Sequence, residues 1–286
     1  KESYMIQYLA AAGTDNGLIA QRNQDSFGAK VFSSSYGSMT AAIMCDGMGG
    51  YDSGEVASAT VVDAFQRWLL RRLPVIAETE PDRDTVCEEW TGLIELCNQK
   101  IIRYGEQHGV RLGTTAVLFL ATQEQYMILN VGDCRVYEIR DAVQQITRDQ
   151  TLVEREFQAG LLTAEEVKTD PRGHVLAECV GIMPEVHPDY YIGKVQPESV
   201  FLLCCDGFRH KIGEEEMLQY FAPAHMRTCE QMQRQIRSLI DMNKQQGETD
   251  NISAITILAE RKTDDSKSSL SVMQEFCYTD SSELAK

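Results

Sequence analysis

The arrangement of apolar runs predicts an α+β fold of mainly antiparallel sheets with helices packed outside. Two observations carry this. Short runs rich in Val, Ile, Leu, Phe and Tyr come in groups joined by short turns. The long segments with helical periodicity come in runs and do not alternate strictly with the strands, which disfavours a parallel sheet. At 286 residues the chain is long enough to bury a full core, as one large domain or two small ones at roughly 100–200 residues each.

Taken in order, the run Met39 to Cys45 reads as a strand. A helix follows over Ser53 to Leu73, where Val56, Ala59, Thr60, Ala64, Phe65, Trp68 and Leu69 recur at steps of three and four, with Ser53 as its N-cap. A second helical segment covers Asp84 to Gln107, and strands are expected at Thr115 to Leu120, Tyr126 to Val131 and Val136 to Ile139. The segment Arg148 to Pro188 breaks the pattern with short helical pieces at Leu152 to Gln158 and Ala164 to Val167, and reads as an inserted flap, not a second domain. Strands Val200 to Cys205 and Ile252 to Leu258 enclose a helix over Thr228 to Gln246. That helix puts Met232, Ile236, Leu239, Ile240 and Asn243 on one face and stops at Gly247. Residues 261–286 are rich in Ser and Asp. They are expected to form a solvated tail or linker after a domain over 1–260, although a small apolar island at Val272, Met273, Phe276, Cys277 and Tyr278 offers a docking alternative.

Composition narrows the function. Lys and Arg number 27 against 43 Asp and Glu, a formal charge of −16, the wrong sign for a protein that neutralises nucleic-acid phosphates. Nine cysteines occur with irregular spacing and no CxxC pair, so a reducing compartment is expected, with Cys45, Cys134, Cys204 and Cys205 as small core hydrophobes. No apolar run approaches the ~20 residues of a membrane span. No signal-peptide pattern leads the sequence, and a cytoplasmic location is expected.

The chemistry lies in carboxylates. Asp46, Asp133 and Asp206 each end an apolar run beside a glycine, and Asp250 immediately precedes one. In an antiparallel sheet the end of one strand and the start of its neighbour share an edge, so these four can meet. Gathered anions repel unless protons or cations neutralise them. Oxygen ligands select hard cations such as Mg²⁺ or Mn²⁺, and no Cys/His spacing points to zinc. A single Asp-Gly is most simply a turn; four aspartates at strand ends, two of them in Asp-Gly pairs, are harder to dismiss.

Six motifs then occur in an order that resembles bacterial metal-dependent protein phosphatases of the type 2C (PPM) family. They are Asn23-Gln24-Asp25-Ser26, Asp46-Gly47-Met48-Gly49-Gly50, Gly113-Thr114-Thr115, Val131-Gly132-Asp133-Cys134-Arg135, Cys205-Asp206-Gly207 and Asp250-Asn251-Ile252. The resemblance spans about residues 8 to 260, and Ala159-Gly160-Leu161-Leu162-Thr163 resembles part of the family's flap subdomain. It implies a four-layer αββα sandwich and hydrolysis of phosphoserine and phosphothreonine by a hydroxide bridging two Mn²⁺ or Mg²⁺ ions. On that reading Asp46 bridges both ions, the Gly47 carbonyl binds one, and Asp206 and Asp250 complete the set. Asp133 is the ligand for a third, weaker ion. Asp25 and Gln24 hold water around the ions, and Asn251 positions the Asp250 loop. The implied partners are phosphorylated proteins, substrates of a bacterial Ser/Thr kinase.

The pattern departs from the family in a few places. The family's phosphate-binding arginine, five residues before Asp25, is here Ala20; Arg22, two residues on, is either its substitute or a surface charge. Met48 replaces the histidine that eukaryotic members use as a general acid, and His210 stands where the family commonly places a further carboxylate. Ala20 therefore keeps open a catalytically weak, phosphatase-like binding or regulatory module. A two-metal nuclease shares the chemistry but is disfavoured by the −16 charge.

Overall fold

The computed structural model describes residues 4–34, 36–49, 53–263 and 271–280. In chain order the elements are β1 (Tyr4–Asp15), β2 (Ser26–Ser34), β3 (Gly37–Cys45), β4 (Gly47–Gly49), α1 (Gly54–Glu78), α2 (Arg83–His108), β5 (Leu112–Thr114), β6 (Ala116–Ala121), β7 (Gln125–Val131), β8 (Arg135–Ile139) and β9 (Val143–Gln145). They continue with α3 (Leu152–Gln158), α4 (Ala164–Thr169), β10 (Asp189–Lys194), β11 (Ser199–Cys204), α5 (Asp206–Arg209), α6 (Glu214–Phe221), α7 (Cys229–Gln245), β12 (Ile252–Thr263) and β13 (Ser271–Tyr278).

Two antiparallel sheets face each other, one ordered β1-β12-β11-β8-β9 and the other β10-β7-β6-β3-β2-β13, with a small β4-β5 pair beside them. The reason for the continuous apolar run of β3 is that both its faces are buried. Ala42 and Met44 point into the core between the sheets, while Met39, Ala41, Ile43 and Cys45 point into a second core under α1 and α2. In that second core Phe65, Trp68 and Trp90 form an aromatic cluster with centroids 5.5 to 6.2 Å apart. A fully buried side chain of this size contributes about 1.5–3 kcal/mol. On the opposite side α7 lays the expected Met232, Ile236, Leu239, Ile240 and Asn243 face onto the five-stranded sheet. These layers make the expected α+β sandwich.

Local details refine the expectations. The hydroxyl of Ser53 makes no capping bond to α1, and the helix continues through Pro74 to Glu78. Gly247 adopts a φ of 86° just beyond α7, as its stop role requires. All nine cysteines are free. The expected flap contains α3 and α4 and is fastened at its base, where Thr114 and Val180 exchange backbone hydrogen bonds of 2.9 and 2.8 Å.

The expectation of a solvated tail is corrected over Ser271–Tyr278. This segment is β13, an added edge strand on β2. Gln274 exchanges side-chain bonds with the backbone of Ala10, Tyr278 stacks on Phe27 at 5.5 Å, and Glu275 pairs with Lys30 at 2.7 Å. Lys30 is a buried lysine inside a strand, and the tail supplies its counter-ion. Tail residues 264–270 and 281–286, and Gly50 of the second motif, lie outside the described residues.

Candidate active site

The topology brings the four aspartates to one end of the sandwich. Strands β3 and β7 both run antiparallel to β6, so Asp46 and Asp133, which follow them, leave the sheet at the same edge. Strand β11 runs antiparallel to β12, which sets Asp206 after the one beside Asp250 before the other. All four, with Gln24, Gly47 and Met48, line one cavity of about 540 Å³ whose outer wall comes from the flap residues His174, Leu176, Ala177 and Cys179. A larger groove of about 1170 Å³ lies between α1 and α2. Its carboxylates, Asp63 and Glu89, are already paired with Arg67 and Arg72, so the chemistry belongs to the smaller cavity.

Each ligand candidate is fixed through its backbone. The Asp46 N–H donates to the Thr115 hydroxyl at 2.9 Å, while its carbonyl accepts from the Thr115 N–H and the Thr114 hydroxyl, both at 2.9 Å. Gly47 is held by its N–H to the Gln24 carbonyl at 3.1 Å. A Cβ there would lie 2.3 Å from the Gly54 carbonyl oxygen, so only glycine lets the start of α1 approach this closely. Gly207 has the same character, its missing Cβ lying 2.1 Å from the Asn251 carbonyl oxygen. Asn251 ties the loops together. Its Oδ1 accepts from the Gln24 N–H at 2.7 Å, and its Nδ2 donates to the carbonyls of Asn16 and Arg22 at 3.1 and 3.2 Å.

The charges are strained by their proximity. Burial pushes Asp25 up to about 7, helped by Asp206 and Asp250 and opposed by Ser253 and Cys205. Burial and then the fields of Asp25, Asp206 and Asp250 hold Asp46 well above the usual carboxylate range. Asp250 rises through burial and Asp206. Burial also works against the charged form of Asp206, but His210, whose Nε2 sits 3.3 Å from its Oδ2, and Arg209 outweigh it and hold the carboxyl low.

These residues suit a hard cation. Both carboxylate oxygens of Asp25 and the Oδ1 of Asp206 are buried with no hydrogen-bond partner among the described residues, an arrangement that costs free energy unless a cation or water satisfies it. Ligand atoms of Asp25, Asp46 and Cys205 lie within 4.8 Å of one another. Burial pushes the Cys205 thiol up, keeping it a neutral partner of the Ser253 N–H and leaving oxygens as the ligands.

Not every expected residue joins the cavity. Arg22 does not line it; its guanidinium pairs with the buried Glu55 at 2.8 Å, so the proposed phosphate clamp is already engaged. Ala20 is likewise absent from the wall. Asp133 lines it, but its Oδ2 accepts from Arg209 at 3.2 Å, and burial and Asp206 still push it up to about 7. Arg209 in turn reaches Asp149, which Arg135 grips with two bonds of 2.7 Å.

Two participants escaped the sequence reading. Glu248 accepts from the N–H groups of Thr249 and Asp250 at 2.9 and 3.0 Å, and its Oε2 lies 3.3 Å from His210, so His210 joins Glu248 to Asp206. Arg111 lines the cavity from the residue before β5. Neither sits in a motif; the only local signal was a carboxylate two residues from Asp250 and a cation beside Gly113-Thr114-Thr115.

Comparison with known proteins agrees with this geometry. The family profile described as Protein phosphatase 2C matches residues 14–245. The serine/threonine phosphatase stp of Listeria innocua is 31% identical over 210 residues, covering 71% of this chain and 79% of that protein. The crystal structure of the serine/threonine phosphatase Stp1 from Staphylococcus aureus has a TM-score of 0.75 at 25% identity, covering 89% of this chain and 96% of the other. The catalytic domain of the serine threonine protein phosphatase PstP, solved in complex with 2 manganese ions, gives a TM-score of 0.67 at 25% identity over 90% of this chain and 100% of its own. The chain thus belongs to the protein phosphatase 2C family and is a protein phosphatase of the serine/threonine type.

Proposed function

We propose that the chain hydrolyses phosphoserine and phosphothreonine in proteins at this carboxylate cluster, with two divalent cations, Mn²⁺ or Mg²⁺, held by Asp46, the Gly47 carbonyl, Asp206 and Asp250. The observation that carries the reading is the set of buried oxygens on Asp25 and Asp206, unpartnered among the described residues, beside the raised Asp46 and Asp250. A like-charged cluster of this kind is stable only with cations or protons in it. The two manganese ions in the related PstP structure support the same count. Such ions supply positive charge against the phosphoryl oxygens and lower the pKa of water to near neutrality.

The chain's own residues supply position. Threonines 114 and 115 fix the Asp46 backbone, and Asn251 fixes Gln24 relative to the Asp250 loop. The oxygens of Asp25, unpartnered among the described residues, would accept hydrogen bonds from water held in the site. Water oxygen bonds to phosphorus as the bond to the seryl or threonyl oxygen breaks, in line, leaving inorganic phosphate. Met48 in the cavity wall has no proton to give, so the proton for the leaving oxygen comes from water or from another group of the wall. At Asp133 a third ion competes with Arg209, which fits a weaker site. The natural substrates are products of a bacterial Ser/Thr kinase, acting in the cytoplasm.

The weak or regulatory alternative would leave this cluster as a cost without a use. Titrating the metal-free chain with Mn²⁺ in a calorimeter tests the reading. Two ions per chain are expected, falling when Asp46→Ala or Asp250→Ala removes a ligand, while circular dichroism stays native. Absence of Mn²⁺ and Mg²⁺ binding would overturn it.

A further inference from the structure

We propose that Arg111 binds the phosphoryl group of the substrate, an inference that rests on the phosphatase reading above. A phosphomonoester is close to a dianion at neutral pH, and it must enter a cavity walled by Asp46, Asp133, Asp206 and Asp250. Cations held by those carboxylates would meet the phosphoryl group from the carboxylate side only, so a donor of the chain is still needed for the outer phosphoryl oxygens.

The arginines around the site leave one candidate. Arg135 and Arg209 are tied to Asp149 and Asp133, and Arg22 is tied to Glu55 outside the cavity wall. Arg111 is the one arginine or lysine lining the cavity among the described residues. It is exposed, and among the described residues it makes no ion pair and no side-chain hydrogen bond.

Its backbone, by contrast, is fixed. Helix α2 ends on Gly109 with a φ of 66°, and the Val110 N–H returns to the Gly105 carbonyl at 3.0 Å. The next residues join the β4-β5 ladder, where Leu112 faces Gly49 and Thr114 faces Gly47. Arg111 is therefore anchored immediately before the strand paired with the Gly47 segment, with its guanidinium uncommitted among the described residues. Thr114, on the same short strand, also fastens the flap base at Val180. A planar fork of donors at a fixed point suits a phosphoryl group, which a point charge on a lysine matches less well.

Arg111→Ala and Arg111→Lys would be compared with the unaltered chain, Mn²⁺ loaded, using a phosphothreonine peptide as substrate and inorganic phosphate as inhibitor. Arg67→Ala on α1 serves as a control. Arg111→Ala is expected to raise KM and the phosphate inhibition constant together, about tenfold to a hundredfold, as loss of a charge-assisted contact predicts. Arg111→Lys should recover part of both, and Mn²⁺ affinity by calorimetry should not move. Unchanged KM and phosphate inhibition in Arg111→Ala, or a change equalled by Arg67→Ala, would overturn the assignment. If the unaltered chain fails to hydrolyse the peptide, the phosphatase reading falls, and calorimetric titration of inorganic phosphate into the Mn²⁺-loaded proteins still decides on Arg111.

Discussion

The side-chain oxygen of Asn251 accepts a hydrogen bond from the Gln24 N–H at 2.7 Å, joining two loops 227 residues apart in sequence. Through it the position of Asp25, next to Gln24, depends on the loop that carries Asp250. One amide thus sets the spacing of carboxylates that arrive from opposite sheets.

Asn251→Ala should therefore loosen the cluster without removing a charge. Leaving the Gln24 N–H unpaired costs about 1–3 kcal/mol. Loss of the positioning contact is expected to weaken Mn²⁺ binding about 10–100-fold. Calorimetry and thermal melts check both, and wild-type Mn²⁺ affinity in the variant would contradict the role.

Strand β13 lends stability through Lys30, whose side chain is 2% exposed while its partner Glu275 is 51% exposed. Although Glu275 is half in solvent, Glu275→Gln leaves the buried Lys30 ammonium without its counter-ion and should cost more than the about 0–1 kcal/mol of an exposed pair. A chain ending at Thr263 loses the counter-ion and the strand that covers β2, and its melting temperature should fall by more. Adding Lys30→Met to the shortened chain should recover part of the loss, since no charge is then left buried. A shortened chain that melts like the full one would show that β13 contributes nothing.

The metal-free chain should be less stable in mild alkali than in mild acid. Asp25 and Asp133 are pushed up to about 7 from an ordinary 3.8, chiefly by burial, so the folded chain holds protons that the unfolded chain has released. Their contribution is complete below about pH 4 and is lost as the pH rises through about 7. Melts in chelator between pH 5 and pH 8 should show a falling midpoint, and Asp25→Asn should flatten the fall. Mn²⁺ should raise stability most at the upper end, where the carboxylates are ionised. A midpoint that rises over this range in chelator would contradict the account.

What the sequence revealed follows from how local each signal is. Runs such as Met39 to Cys45 and Val200 to Cys205 are legible because strands buried on both faces need apolar residues at every position. The stripe of α7 is legible because only one of its faces is buried. Strand β2 was missed because Gly28 and the charge of Lys30 interrupt it, and what makes Lys30 tolerable is Glu275, 245 residues away. Strand β10 was missed because it is a largely exposed edge. At the site, the aspartates were legible because each borders an apolar run, while Arg22 stayed open between a phosphate contact and a surface charge because its spacing from Ala20 says nothing about Glu55. Glu248 and Arg111 gave no such signal, since their importance arises only from the loops that fold around them.

Initial-rate hydrolysis of a phosphothreonine peptide by the purified chain, with Mn²⁺, with chelator, and with Asp206→Ala, tests the central claim most directly. Turnover that requires the metal and falls at least a thousandfold in Asp206→Ala, with the circular dichroism spectrum unchanged, is the predicted result, since a loss of about 4 kcal/mol at the transition state corresponds to that factor. Turnover that persists in chelator, or survives in Asp206→Ala, would contradict it.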